Sequence, residues 1–262
     1  MTDTSSLITP SSAPASPTRI SIELVPRSRS VLEAELLDIR SKLSDVRTVN
    51  IVDLLRLKTR SWEGCSLALA HLPEAIPHIR AIDIDPRSPL PMAEALVSHG
   101  IREVLVIEGD PPADMGHRTY AVTSLEIIRK FQRELPQIRV WAGLDPYRQS
   151  FARERDYAEA KLEAGAVGFF TQPFFDLRML EIWAELLPAC EVFWGATSVT
   201  TERSLSYWQN RNKAILPKNF DLSLEANRAF ARELLAFARN SGGHAYFMPI
   251  KESSAEYLSG VL

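Results

Sequence analysis

Cysteine is nearly absent. Cys65 and Cys190 are the only two in 262 residues, too few for a disulfide framework, which points to a reducing compartment, the cytoplasm. No apolar run approaches the roughly 18 residues of a membrane span. Neither sign of charge is in excess: 30 Lys and Arg face 33 Asp and Glu, and the bases are interleaved with acids. Nucleic acid therefore meets no basic footprint. No second His or Cys lies at ligand spacing from His78, which argues against a metal site. The turn after the first apolar run, Val25-Pro26-Arg27-Ser28, contains no glycine, so the G-x-G-x-x-G loop of a dinucleotide-binding doubly wound fold is missing there. With 45% hydrophobic residues, a disordered chain is excluded as well.

What is present is alternation. Residues 1–18 are mostly Ser, Thr, Pro and Ala and read as a flexible tail. They lack the charged start and apolar core of a secretory signal, and no Arg precedes Arg19, unlike a transit peptide. Residues 19–262 then carry eight strand candidates rich in β-branched and aromatic side chains: Arg19–Leu24, Thr48–Leu54, Pro77–Ile84, Glu103–Glu108, Arg139–Leu144, Val167–Gln172, Glu191–Gly195 and His244–Ile250. Between them, Val31–Leu43, Ser124–Leu135 and Leu222–Ala238 place apolar residues at helical spacing, and Trp62–Leu72, Met92–His99, Phe151–Ala164 and Leu177–Leu187 fit helices too. Eight βα units at about 30 residues each predict a single (β/α)8 TIM barrel with no internal linker and no appended domain.

Such a barrel keeps its site at the carboxyl ends of the strands, so three residues should converge on one mouth. Glu23 is an acid inside I-S-I-E-L. It either faces solvent or pairs with a barrel cation, or else it is drawn into apolar surroundings that raise its pKa and suit a general acid. Asp110 lies in Gly109-Asp110-Pro111-Pro112, a tight turn or a stiffened loop that fixes a carboxylate. Gln172 is an ordinary strand-end amide or a ligand contact. His78 alone reads as a structural histidine, and Cys65 has no identifiable catalytic partner.

The stretches I-S-I-E-L-V-P at 20–26, G-I-R-E-V-L-V-I-E-G-D-P-P at 100–112 and K-L-E-A-G-A-V-G-F-F-T-Q-P-F-F-D at 161–176 resemble the methylenetetrahydrofolate reductase family, in colinear order from Arg19 to about Ile250. Supporting matches are Pro77-His78, Tyr120-Ala121 and H-A-Y-F-M-P-I. The resemblance implies a TIM barrel in which hydride passes from NADH or NADPH through FAD to 5,10-methylenetetrahydrofolate, a reaction of one-carbon metabolism. It makes Glu23 the acid that protonates folate N10. Asp110 is placed by flavin and pterin, and Gln172 against folate and nicotinamide. His78, Gly109, Asp110, Tyr120, Ala121 and Lys161 fall on flavin-contacting positions, Lys161 suiting a phosphate.

The chain departs from that family on the flavin side. Glu108 stands where Arg is usual, Asn50-Ile51-Val52-Asp53 replaces V-T-Y-G, and Arg80 replaces a threonine. Leu144-Asp145-Pro146-Tyr147-Arg148-Gln149 lacks the usual histidine, and E-L-V-P-R softens E-F-F-P-P. Either FAD is held differently, with Arg80 or Arg148 supplying the lost cation, or hydride passes directly from nicotinamide to folate. The alternative function is a folate-binding barrel without redox activity, serving as a carrier or partner protein. An unrelated (β/α)8 enzyme is a weaker option. The substrate is a small molecule, with no nucleic acid or membrane partner; a homo-oligomer is compatible with the sequence.

Overall fold

A computed structural model describes residues 17–111 and 117–262. Most of the 1–18 tail and Pro112 of the Pro-Pro pair lie outside the described residues. Eight parallel strands close on themselves in sequence order: β1 Ile20–Leu24, β2 Thr48–Ile51, β3 Glu74–Arg80, β4 Glu103–Ile107, β5 Arg139–Leu144, β6 Gly168–Pro173, β7 Glu191–Thr197 and β8 His244–Met248. The outer helices are α1 Arg29–Lys42, α2 Ser61–Ala68, α3 Ala93–Ser98, α4 Ser124–Glu134, α5 Phe151–Glu163, α6 Leu177–Leu186, α7 Glu202–Ser206, α8 Leu224–Ser241 and α9 Ser254–Leu258. The expected (β/α)8 barrel is the observed fold. Among the described residues, no helix is long and apolar enough to cross a membrane.

The helices start where side chains can cap them. Ser28, Thr123, Ser150, Asp176 and Ser223 each accept a backbone N–H of the first turn of α1, α4, α5, α6 and α8, which satisfies donors that the helix itself leaves unpaired. Two expectations shift. The third strand starts at Glu74, three residues before the expected Pro77, and ends at Arg80, four before Ile84, where Ala81–Asp83 tightens into a 3-10 turn. Pro77 is tolerated inside it: the ladder to β4 begins only at His78, so the missing proline N–H costs little there. The second strand stops at Ile51, leaving Val52–Leu54 at the mouth.

Strand parity then sorts every side chain. Ile20, Ile22 and Leu24 of β1 are buried in the large cluster between sheet and helices, so Ser21 and Glu23 point into the barrel. The interior is graded along its axis. At the amino ends of the strands, Arg19 forks onto Glu103 at 2.8 and 3.1 Å and reaches Glu74 at 2.9 Å. Arg139 bridges Glu103 and Glu191, and His244 meets Glu191 at 3.2 Å. Above this ring sits an aromatic layer: Phe170 stacks on Phe193 with centroids 4.1 Å apart, and Trp141 packs edge-on against both. The barrel is thus sealed below and open above.

Glu103 is the hub of the ring, accepting from Arg19, Arg139 and the Trp141 indole, and its loss leaves Arg19 with Glu74 alone and Arg139 with Glu191 alone. Glu103→Ala should lower the free energy of unfolding by about 3 kcal/mol. Urea unfolding should show the loss as a lower midpoint at an unchanged slope.

Candidate active site

The open end holds a cavity of about 840 Å³. Glu23, Asp110 and Gln172 all line it, so the three residues expected at one mouth are brought together there. They stand at different depths. Glu23 lies low, and its carboxylate accepts a short hydrogen bond from the Tyr246 hydroxyl of β8. Neither of the plainer expectations for Glu23 holds: it faces inward, and its bonded partner is a phenol, not a cation. Burial above the aromatic layer pushes its pKa up to about 7, against the lowering effect of the Tyr246 bond.

Around Glu23 runs a polar chain built by strand register, since Glu23 pairs with Asn50 across β1 and β2. Ser21 Oγ donates to Asn50 Oδ1 at 2.7 Å, and Asn50 Nδ2 donates to His78 Nε2 at 2.9 Å. His78 therefore presents its unprotonated Nε2 to the amide. Desolvation lowers its pKa to about 3, so it is neutral, and its 3.9 Å approach to Glu23 is not an ion pair. Glu23 is left as the titrating acid of this layer. Asn50 and Tyr246 were not singled out as contributors from the sequence. The alternation of His244, Tyr246 and Met248 in H-A-Y-F-M is the signal that marks Tyr246 as inward-facing.

Gln172 sits on β6 where its register with β7 shifts between Phe170 and Pro173. That irregularity needs Gly195, since a Cβ there would lie 2.8 Å from the Thr171 carbonyl and 2.9 Å from Met248 Cε. The Gln172 amide makes no hydrogen bond among the described residues and is available to a ligand. Asp110 stands on the rim, with a side chain 87% exposed and 3.9 Å from Arg211. Arg211 belongs to an excursion after β7 in which α7 runs into a π-turn at Tyr207–Arg211. A satellite core of Phe175, Val199, Trp208 and Ala214 holds that excursion over the mouth.

Of the residues expected to contact a flavin, His78, Gly109, Asp110 and Lys161 line the cavity. Tyr120 and Ala121 are not among the residues lining the cavity. Gly109 lines it in a left-handed conformation, φ +89°, with Arg80 packed where a Cβ would go. Arg80, one of the two candidate replacement cations, donates to Asp83 at 2.9 Å and to the Asp110 carbonyl at 2.6 Å. Asp83 also lies 3.8 Å from Arg60, whose guanidinium forks onto Asp53. Two cations and two carboxylates there neutralise one another. Lys161 lines the cavity from α5 but donates to the Gly143 carbonyl at 2.7 Å and lies 3.9 Å from Glu154. Burial lowers its pKa to about 8. Glu108 accepts from the Ser124 backbone N–H at 3.2 Å and from the Tyr157 hydroxyl at 3.3 Å. The chain's own carboxylate thereby fills the amino end of α4, where an external anion would otherwise be favoured.

A model of the family described as methylenetetrahydrofolate reductase matches residues 16–226, and the chain belongs to that family. Its fold recurs in a solved, uncharacterized protein from Clostridium thermocellum that binds two copies of 5-methyl-5,6,7,8-tetrahydrofolic acid. The TM-score is 0.65 at 13% identity, covering 94% of this chain and 93% of that one. Oxaloacetate acetylhydrolase is similar at a TM-score of 0.56 and 10% identity over 88% of this chain and 75% of that one. At such identities these two structures show the shared barrel alone.

Because the Tyr246 bond favours the ionised form of Glu23, Tyr246→Phe should raise the Glu23 pKa above about 7. A carboxyl carbon NMR titration of the variant against the parent protein checks this, and a downward or absent shift contradicts the assigned bond.

Proposed function

We propose that this protein reduces 5,10-methylenetetrahydrofolate to 5-methyltetrahydrofolate with a hydride from NADH or NADPH. The observation that carries the reading is Glu23: an inward-facing carboxyl, held near a pKa of about 7 by burial, at the floor of the mouth in a chain of this family. A proton from Glu23 to folate N10 breaks the bond between N10 and the methylene carbon and leaves an iminium at N5. Hydride from dihydronicotinamide adds to that carbon, giving the N5-methyl group and oxidised nicotinamide, and Glu23 regains its proton from solvent. Gln172, with its amide uncommitted, is placed to orient folate or nicotinamide. The Clostridium barrel that binds two copies of the product supports a folate occupant of this fold.

The residues present do not fit a resident FAD. Arg80 and Lys161 are turned to protein carbonyls and carboxylates, Glu108 fills the helix end, and Tyr120 and Ala121 stay outside the cavity. This supports direct transfer between nicotinamide and folate.

Purified protein should oxidise NADH or NADPH only when methylenetetrahydrofolate is added, with no flavin band in its visible spectrum. No folate-dependent oxidation, with or without FAD, refutes the reductase; oxidation that requires FAD refutes direct transfer alone. The rate should fall as pH rises through about 7, because the acid must be protonated to act and its raised pKa places that loss near neutrality. Glu23→Gln should abolish turnover and still bind 5-methyltetrahydrofolate.

A further inference from the structure

Glu23 presents two carboxyl oxygens at the floor of the mouth, and only one is engaged. Oε2 accepts the proton of the Tyr246 hydroxyl. Oε1 has no partner among the described residues, and the side chain keeps 23% of its surface open towards the cavity. A phenol carries a single proton, and its oxygen also accepts. The direction of the Tyr246 bond therefore depends on what else faces that oxygen. The facing group is Asn50, fully buried in β2 and set opposite Glu23 by strand register.

An amide has one acceptor oxygen and two donor hydrogens, and those of Asn50 are all accounted for. Its Oδ1 accepts from Ser21 Oγ at 2.7 Å, and one N–H is donated to His78 Nε2 at 2.9 Å. The other N–H is directed at the Tyr246 oxygen, where a donor opposes the rise that burial imposes on the phenol pKa. Held by Ser21 and His78, the amide cannot turn its carbonyl towards Tyr246 without stranding a buried polar group, which costs more than the bond it would gain. Tyr246 thus receives a hydrogen bond from Asn50 and has its own proton left for Glu23. The other titratable group close to Glu23, His78 at 3.9 Å, faces the amide with its unprotonated nitrogen and supplies no competing proton.

We infer that Asn50 is a positioning residue for the proton transfer: by fixing Tyr246 as a donor to Glu23 Oε2, it reserves Oε1, the oxygen that opens on the mouth, for the transferable proton. A neutral carboxyl has one hydroxyl and one carbonyl oxygen, and the oxygen that receives the Tyr246 proton is the carbonyl. Without Asn50 the phenol is free to turn, and part of the protonated population carries its proton on the wrong oxygen. Asn50 does not itself line the cavity, so it acts through Tyr246. The use made of the proton rests on the reductase reading; the direction of the chain from Asn50 through Tyr246 to Glu23 does not.

The Glu23 carboxyl should be titrated by carbon NMR in the full chain, in Asn50→Leu, Ser21→Ala and Tyr246→Phe, and in each of the first two combined with Tyr246→Phe, with circular dichroism to verify folding. Asn50→Leu should weaken Glu23 as an acid about threefold, the scale of one hydrogen bond. Ser21→Ala, which releases the amide oxygen, should shift it the same way by less. In the Tyr246→Phe background neither change should shift Glu23 further, because the path through the phenol is gone. An equal shift with and without Tyr246, or no shift in either variant, overturns the assignment; if Asn50→Leu does not fold, Ser21→Ala decides it alone. In turnover, Asn50→Leu should lower kcat about tenfold and move the alkaline loss of rate to higher pH, with KM for methylenetetrahydrofolate within about twofold. A raised KM at unchanged kcat also overturns it. A parent protein that reduces no folate refutes the reductase alone, and the titrations still decide the direction of the chain.

Discussion

The stack of Phe170 on Phe193, closed edge-on by Trp141, is the contact on which the rest of this barrel depends. It packs the barrel axis between the charged ring and the mouth. Phe170 also meets Tyr246 edge-on at 5.2 Å, which fixes the phenol that bonds Glu23. A carboxyl in that position has lost its solvent on one side and gained a single donor in return. Desolvation outweighs the bond, and the acid titrates near neutrality. Were the aromatic layer thinner, the same sequence I-S-I-E-L would carry an ordinary carboxylate.

The same axis explains the charges at the other end. Arg19, Glu74, Glu103, Arg139 and Glu191 are the first residues of their strands or adjoin them. Inward positions there would leave single charges half-buried, which is costly unless each is bonded several times. Arg19 achieves this with two carboxylates and lies 5.2 Å from the Phe193 ring centroid. The seal and the site are thus two ends of one inward-facing column, with aromatics between them.

Much of the column was legible in the sequence. Alternation fixes which residues of a strand share a side, and carboxyl ends of barrel strands carry the chemistry. Those two rules sufficed for the fold and for the meeting of Glu23, Asp110 and Gln172 at one mouth. What stayed hidden depends on register between strands distant in sequence. That Ser21, Asn50 and His78 form one hydrogen-bonded chain follows from how β1, β2 and β3 are staggered, and no local pattern encodes it. Arg80 read as a spare cation because Asp83 and the Asp110 carbonyl belong to backbone turns that spacing cannot fold. The excursion over residues 198–222 has no periodicity to read, since its apolar residues serve a small separate core around Trp208.

Charge pairing finally decides how a site can be reused. A carboxylate at Glu108 does more than delete a cation: by bonding Ser124 and Tyr157 it occupies the donors that an anionic ligand would seek. Arg80 answers with a cation, but one turned to its own loop. At Glu108, Arg80 and Lys161 the polar groups are thus bonded within the protein. A site closed in this way does not regain an external anion by one reversal, because Glu108, Arg80 and Lys161 each have internal partners to abandon. The acid at the barrel floor shares none of those partners, and its protonation is set instead by burial and by the Tyr246 bond.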